Sequence, residues 1–188
     1  MVYSPSKSAT APPTITPFNS ITIFAIGIGS EESFSVTLPF PGFAAVGGET
    51  RTMSFLCKAT NLPGMTLGEV AVPFRGRSLY ISGDRTFETW TTTIFNDTDF
   101  LIRNAMERWM NGINALSDNS GLENPSDYMV DAFVDQLDRA GQVIKSYTFR
   151  GLWPLTIGQI DLGYDTNDAV EEFEVTYRYQ FYESNTTT

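Results

Sequence analysis

The side chains of this sequence that could do chemistry are mostly carboxylates, with a single thiol. Glu172 and Glu174 stand two residues apart in an alternating run, which puts both carboxylates on one strand face about 7 Å apart. Glycosidases use carboxyl pairs at such separations, so a carbohydrate-binding or glycosidase module is one reading of the pair and a solvated strand face is the other. Asp97 and Asp99 are possible metal ligands, but a helix N-terminus selects the same residue types. Asp161, Asp165, Asn167 and Asp168 depart from the calcium-loop pattern and read as a turn. Cys57 lies in an alternating apolar stretch, the setting of a small buried hydrophobe more than of a nucleophile. The chain has no histidine, which removes the commonest general base, the Ser and Cys triads and the usual zinc ligand. The glycine-rich stretches carry neither a P-loop lysine nor a dinucleotide fingerprint. No catalytic residue, metal site or cofactor is expected.

Charge narrows the class further. The chain has 188 residues and a formal charge of -10. The excess is concentrated late: Glu49–Met110 holds seven acids and seven bases, whereas Asn111–Thr188 holds thirteen acids and four bases. A chain this acidic, with no Lys/Arg cluster, is poorly suited to gripping a phosphate backbone but well suited to repelling one. No stretch approaches the ~20 apolar residues of a membrane-spanning helix. The apolar run Ile21–Ile28, behind Lys7, imitates a secretory signal, but it starts late and reads better as part of an arm that docks on the body or on a neighbour.

The elements that must position these groups follow from periodicity. Residues 1–33 form a Pro/Thr-rich and then apolar arm, residues 34–183 one β domain, and residues 184–188 a flexible tail. Phe34–Leu38 and Met53–Cys57 alternate and are expected to form a hairpin with a long tip. Asn61–Gly83, broken by Pro63, Gly64, Gly68, Pro73, Gly76 and Gly83, is expected to be an irregular excursion, followed by a strand over Thr86–Phe95. Ile102, Ala105, Met106, Trp109 and Ile113 recur at helical spacing behind Asn96–Asp99, which predicts a helix near 97–115. Tyr128–Leu137 and Val143–Trp153 read as two strands joined at Asp138–Gly141, the second ended by Pro154. In the last strand Phe173, Val175, Tyr177, Tyr179 and Phe181 share one face. The fold class is mainly β: two packed antiparallel sheets forming a sandwich or barrel, with one flanking helix.

Within the excursion, Val70-Ala-Val-Pro-Phe74 is an apolar run framed by glycines, either tucked into the core or covered by another chain. Arg75, Arg77 and Arg85 lie beside it, away from the acid excess. Copies stacked head to tail could pair the two regions through a heterologous interface that closes into rings or extends into a tube; ordinary solvated charge is the alternative.

Five motifs occur in order: Cys57-Lys-Ala-Thr-Asn-Leu-Pro63; Val72-Pro-Phe74 with Arg77; Gly83-Asp-Arg-Thr-Phe87 with Trp90-Thr91 and Asn96-Asp97; Gly151-Leu-Trp-Pro154; and Phe173-Glu-Val-Thr176. Together they resemble the tail tube protein of contractile-tailed bacteriophages, over about Phe34–Glu183. The resemblance implies the fold of the type VI secretion tube protein and assembly as hexameric rings stacked into a hollow tube. It implies a virion protein assembled in the host cytoplasm, with the tail sheath, the tape-measure protein, the baseplate and the tail terminator as partners. DNA would pass through without specific binding, and no reaction would be catalysed. The loop Leu62–Gly83 would reach an adjacent ring, which makes Leu62, Val70, Val72, Phe74, Arg75 and Arg77, with Asp84 and Arg85 of the strongest motif, the expected subunit contacts. Asp131, Asp135, Glu172 and Glu174 are the candidates for a lumen-facing acidic set. A tube-end or baseplate protein and a secreted type VI-like subunit are alternatives sharing the fold.

Overall fold

The computed structural model describes residues 33–160, 162 and 170–187. The arm and Asp161, Asp165, Asn167 and Asp168 lie outside the described residues.

Antiparallel strands dominate, in a seven-stranded sheet and a separate two-stranded one. The large sheet runs β1 (Ser33–Thr37), β6 (Val130–Leu137), β7 (Val143–Ile157), β8 (Glu172–Arg178), β5 (Trp90–Phe95) and β2 (Cys57–Thr60), with β9 (Phe181–Ser184) also on β7. β7 is long enough to serve two halves. Its first part pairs with β6 and β9, its last part with β8, and Gly151 between them adopts φ +62°. The sheet therefore folds over so that its halves pack face to face. The Trp90 ring of β5 stacks on Phe149 of β7 with centroids 4.8 Å apart. Val36, Trp90, Ile94, Val134, Phe149, Val175 and Tyr177 are buried between the halves.

Helix α2 (Leu101–Ile113) packs on β7 through the face the spacing selects: Ile102, Ala105, Met106 and Trp109 are buried. Trp109 Nε1 donates to the Tyr128 carbonyl at 2.8 Å, which satisfies its one polar atom. That carbonyl ends the one-turn helix α3 (Pro125–Tyr128). Asn96–Asp99 does not cap α2. Asp97 Oδ1 instead accepts from the Asp99 amide at 2.7 Å, and Phe100, at φ +52°, leads into the helix. The two aspartates thus shape a turn. After Asn114 the chain doubles back so tightly that a Cβ on Gly121 would lie 2.0 Å from the Ile113 carbonyl oxygen.

Further expectations fail, among them the single strand over Thr86–Phe95, which is split between β4, ending at Phe87, and β5, beginning at Trp90. Met53–Leu56 is not strand but the end of helix α1 (Glu49–Leu56), so Phe34–Leu38 and Cys57 form no hairpin and β1 pairs with β6. α1 is fixed by tertiary contacts: Met53 is buried in the core, and Glu49, 2% exposed, accepts from the amides of Val46 and Gly47. Burial by itself would raise the Glu49 carboxyl, but those backbone donors and the Arg108 guanidinium hold it below the usual carboxylate value. Pro154 does not end β7, because its missing N–H falls at an irregularity in the β7–β8 register. Phe181 does not continue the buried face of β8: the chain turns after Tyr179, and Phe181 opens β9 at 45% exposed. Asn61–Gly83 is not irregular either, as the site shows.

Candidate assembly surface

β3 (Met65–Phe74) and β4 (Arg77–Phe87) form a regular hairpin that leaves the body. Ten residues at ~3.3 Å each carry it roughly 30 Å outward. Its two-residue turn, Arg75-Gly76, has positive φ at both positions (46° and 80°), the geometry whose twist suits a tight hairpin. The glycines that suggested irregularity permit a close approach instead. A Cβ on Gly83 would meet the Gly68 backbone at 3.3 Å, beside the bulge where Leu67 faces Arg85 and Glu69 already faces Ser82.

The base is anchored and the rest is not. Phe87 packs its ring 5.6 Å from Tyr182 and 6.0 Å from Tyr179, and the Phe87 carbonyl accepts from Arg178 Nη1 at 3.5 Å. Beyond that, every residue of β3 is exposed and so is nearly all of β4. Register sorts the outer part into two faces. Val70↔Ile81, Val72↔Leu79 and Phe74↔Arg77 make one face almost wholly apolar, while Glu69↔Ser82, Ala71↔Tyr80 and Pro73↔Ser78 make the other. Phe74 is 62% exposed, and the Arg75 guanidinium lies over it, 5.4 Å from the ring centroid. An isolated two-stranded hairpin is marginal in water, and five large apolar side chains on one face add a surface that water disfavours.

The structure thus brings together Val70, Val72, Phe74 and Arg77, and sets Arg75 at the tip. Asp84 and Arg85 sit near the bulge and form no ion pair among the described residues. Leu62 lies apart, in a cleft at the edge of the large sheet. Leu79 and Ile81, which complete the apolar face, escaped sequence reasoning. Their alternation beyond a positive-φ Arg-Gly turn is the signal that finds them.

The four candidate acids fall into two pairs. Asp131 and Asp135 point outward from β6. Asp131 accepts from Arg150 Nη1 at 2.6 Å and from the Gly151 amide at 3.0 Å, Arg150 also reaches Glu183 at 3.1 Å, and Ser146 donates to Asp135 at 2.5 Å. The hydrogen bonds to Asp131 and Glu183 raise the Arg150 pKa further. Glu172 and Glu174 point outward from β8, in the other half. Glu172 pairs with Lys58, which lies 5.6 Å from the Phe95 ring centroid, and Glu174 faces Thr93. The two outer faces look away from each other, since the halves pack core to core. Cys57 is buried, hydrogen bonds to the Ala59 carbonyl at 3.6 Å, and has its thiol pushed up to about 12 by burial, which makes it inert.

The molecule is thus a β body carrying a hairpin anchored at its base, with one apolar face of that hairpin exposed. The phage tail tube protein family matches residues 30–185, and the chain belongs to that family. It is 34% identical over 166 residues to the tail tube protein of Serratia phage KSP90, covering 88% of this chain and 94% of that one. It is 33% identical over 134 residues to tail tube protein gp19 of Enterobacteria phage T4, covering 71% and 82%. Among solved structures, a chain of the anti-feeding prophage baseplate aligns with a TM-score of 0.57 at 12% identity, covering 80% of this chain and 91% of that one. A chain from the sheath/tube terminator of an extracellular contractile injection system aligns at 0.54 and 12% identity, covering 81% and 92%. These two share the fold. The protein is a structural, β-rich tail tube protein of a contractile phage.

Proposed function

We propose that the protein assembles as hexameric rings stacked into the inner tube of the tail, with the outer face of the β3–β4 hairpin covered by a neighbouring subunit in the stack. The observation that carries this is the unpartnered row Val70, Val72, Phe74, Leu79 and Ile81 in a chain of the tail tube family. Arg75, Arg77, Asp84 and Arg85 flank the same contact, and Leu62, in its separate cleft, does not. The tail sheath, tape-measure protein, baseplate and tail terminator are its partners, assembly takes place in the host cytoplasm, and no reaction is catalysed. DNA passes through the tube during ejection without being bound.

A wall that conducts DNA should repel phosphate, and within the ~8 Å screening length of physiological salt a modest acid excess does so. A single lumen can be lined by only one of the two acid pairs, because they lie on opposite outer faces. The β6 side carries Asp131, Asp135 and Glu183 against Arg150, whereas the β8 side balances Glu172 and Glu174 with Lys58 and Arg178. The imbalance favours the β6 side as the wall.

Negative-stain electron microscopy of the purified chain, with light scattering for mass, tests the reading. Rings or hollow tubes are expected. A protein that stays monomeric even when supplied with a nucleating baseplate would overturn it. A map of the tube that places Asp131 and Asp135 on its outer wall would overturn the lumen assignment.

A further inference from the structure

The outer face of β6, β7 and β9 carries more than carboxylates. Register sets its side chains in neighbouring rows: Phe133, Thr148 and Glu183 in one, Arg150 and Phe181 with Asp131 in the next, and Asp135 and Ser146 on the other side of the first. The strand positions that alternate with these, Ala132, Val134 and Phe149, are buried in the core. Phe133 and Phe181 are instead 41% and 45% exposed. Asp131 and Glu183 share the Arg150 guanidinium, and Asp135 accepts from the neutral Ser146 hydroxyl, so the face keeps a negative excess around two rings held in water.

Repulsion of phosphate accounts for the acids and not for the rings. Large apolar side chains on a strand face are disfavoured in water by the area they expose, and the carboxylates beside them keep polyanions away. The occupant that fits is therefore a polypeptide and not a nucleic acid. Spacing narrows its form. Phe133 and Phe181 stand two strands and one two-residue step apart, about 10 Å across and about 7 Å along the sheet, or about 12 Å on the diagonal. At a rise of about 1.5 Å per residue, two apolar residues roughly seven or eight positions apart on one helix face span a similar distance. Lys or Arg side chains between and beside them would meet the acids, with their apolar stems lying along the rings.

We infer that this face binds a cationic amphipathic helical segment of another polypeptide, whose apolar residues two turns apart lie on Phe133 and Phe181 while its Lys or Arg side chains pair with Asp135, Asp131 and Glu183. The same wall then serves two cargoes in opposite ways: it holds a basic apolar helix and repels a duplex. The inference deepens the reading of the β6 side as the tube wall and rests on it for the segment's place inside the lumen. The binding chemistry itself belongs to one subunit.

A fluorescent synthetic helix of about 16 residues, built on Ala and Lys with two Leu roughly seven positions apart, is the probe, and dispersed full-length subunits are the target. Anisotropy is expected to show binding that weakens as salt is added, and amide exchange on the same complex to show slowing in β6, β7 and β9. Phe133→Ser and Phe181→Ser should each weaken binding about tenfold at unchanged melting temperature, whereas Phe133→Leu should retain it. Asp135→Asn should weaken binding and flatten its salt dependence. Replacing the two Leu of the probe with Ser leaves the protein untouched and should cost about the same factor, so the test survives a variant that fails to fold. No binding, equal binding by both probes or by all variants, competition by duplex DNA, or protection that maps to β3–β4 would overturn the inference. A tube map that turns Phe133 and Phe181 outward while the probe still binds would overturn the wall reading and leave the binding face standing.

Discussion

Val175 on β8 and Val72 on β3 are the same residue type in the same kind of alternating strand. Val175 is fully buried in the core alongside Trp90 and Tyr177, whereas Val72 is 39% exposed. The body closes on itself: two halves of one sheet, a helix whose apolar face points inward, and aromatic rings stacked between them. The hairpin has the strand composition of the body without a second layer. Local sequence makes both regions strands, and only the presence of an opposite face decides which is stable alone. A subunit built this way is complete as a fold and incomplete as a surface, which is the condition for polymerising without refolding.

Substitutions should separate the two regions cleanly. Trp90→Ala, which removes the ring stacked on Phe149 and the 2.8 Å bond to Thr60 Oγ1, should cost about 3–5 kcal/mol and show as a large fall in denaturation midpoint. Glu49→Gln should cost about 2 kcal/mol by weakening charge-assisted bonds to the Val46 and Gly47 amides, read from the same curves. Because the Glu49 pKa is lowered on folding, its contribution is present above the unfolded value of about 4.3 and is lost as pH falls through the lower folded value. The gap between wild type and Glu49→Gln should therefore close in acid. Gly76→Val puts a β-branched residue at φ +80° and should strain the turn by about 1–2 kcal/mol. Its effect should be confined to the hairpin, seen as faster exchange of β3–β4 amides and a higher concentration needed for assembly, with the body's midpoint unchanged.

How far the sequence was legible follows the same division. α2 and β8 were readable because each turns one apolar face to the core, so Ile102, Met106 and Trp109, or Phe173, Val175 and Tyr177, repeat at the period of their element. α1 was not: Met53-Ser-Phe-Leu56 fits a strand by alternation, and what makes it helical is Glu49 reaching back to the loop amides and Met53 reaching the core. The hairpin is hidden in the sequence because Gly68, Gly76 and Gly83 read as breaks, whereas one makes the turn and two let the strands approach at a bulge. Its apolar run was nonetheless legible: Val70–Phe74 reads as either tucked into the core or covered by another chain, and the structure leaves it outside the core. The pairing partners of the acids were not, because Arg150 and Lys58 lie far from Asp131 and Glu172 in the chain and meet them only through strand register.

The central claim is that the hairpin's outer face serves assembly and not folding. Val72→Glu and Phe74→Asp put a charge on that face, and as surface changes they should move the stability of the dispersed subunit by no more than about 0.5 kcal/mol. Electron microscopy of each variant beside wild type, with melting curves on the same samples, decides the point. The account predicts unchanged melting and no tubes. Normal tubes from both variants, or melting that collapses along with assembly, would contradict it.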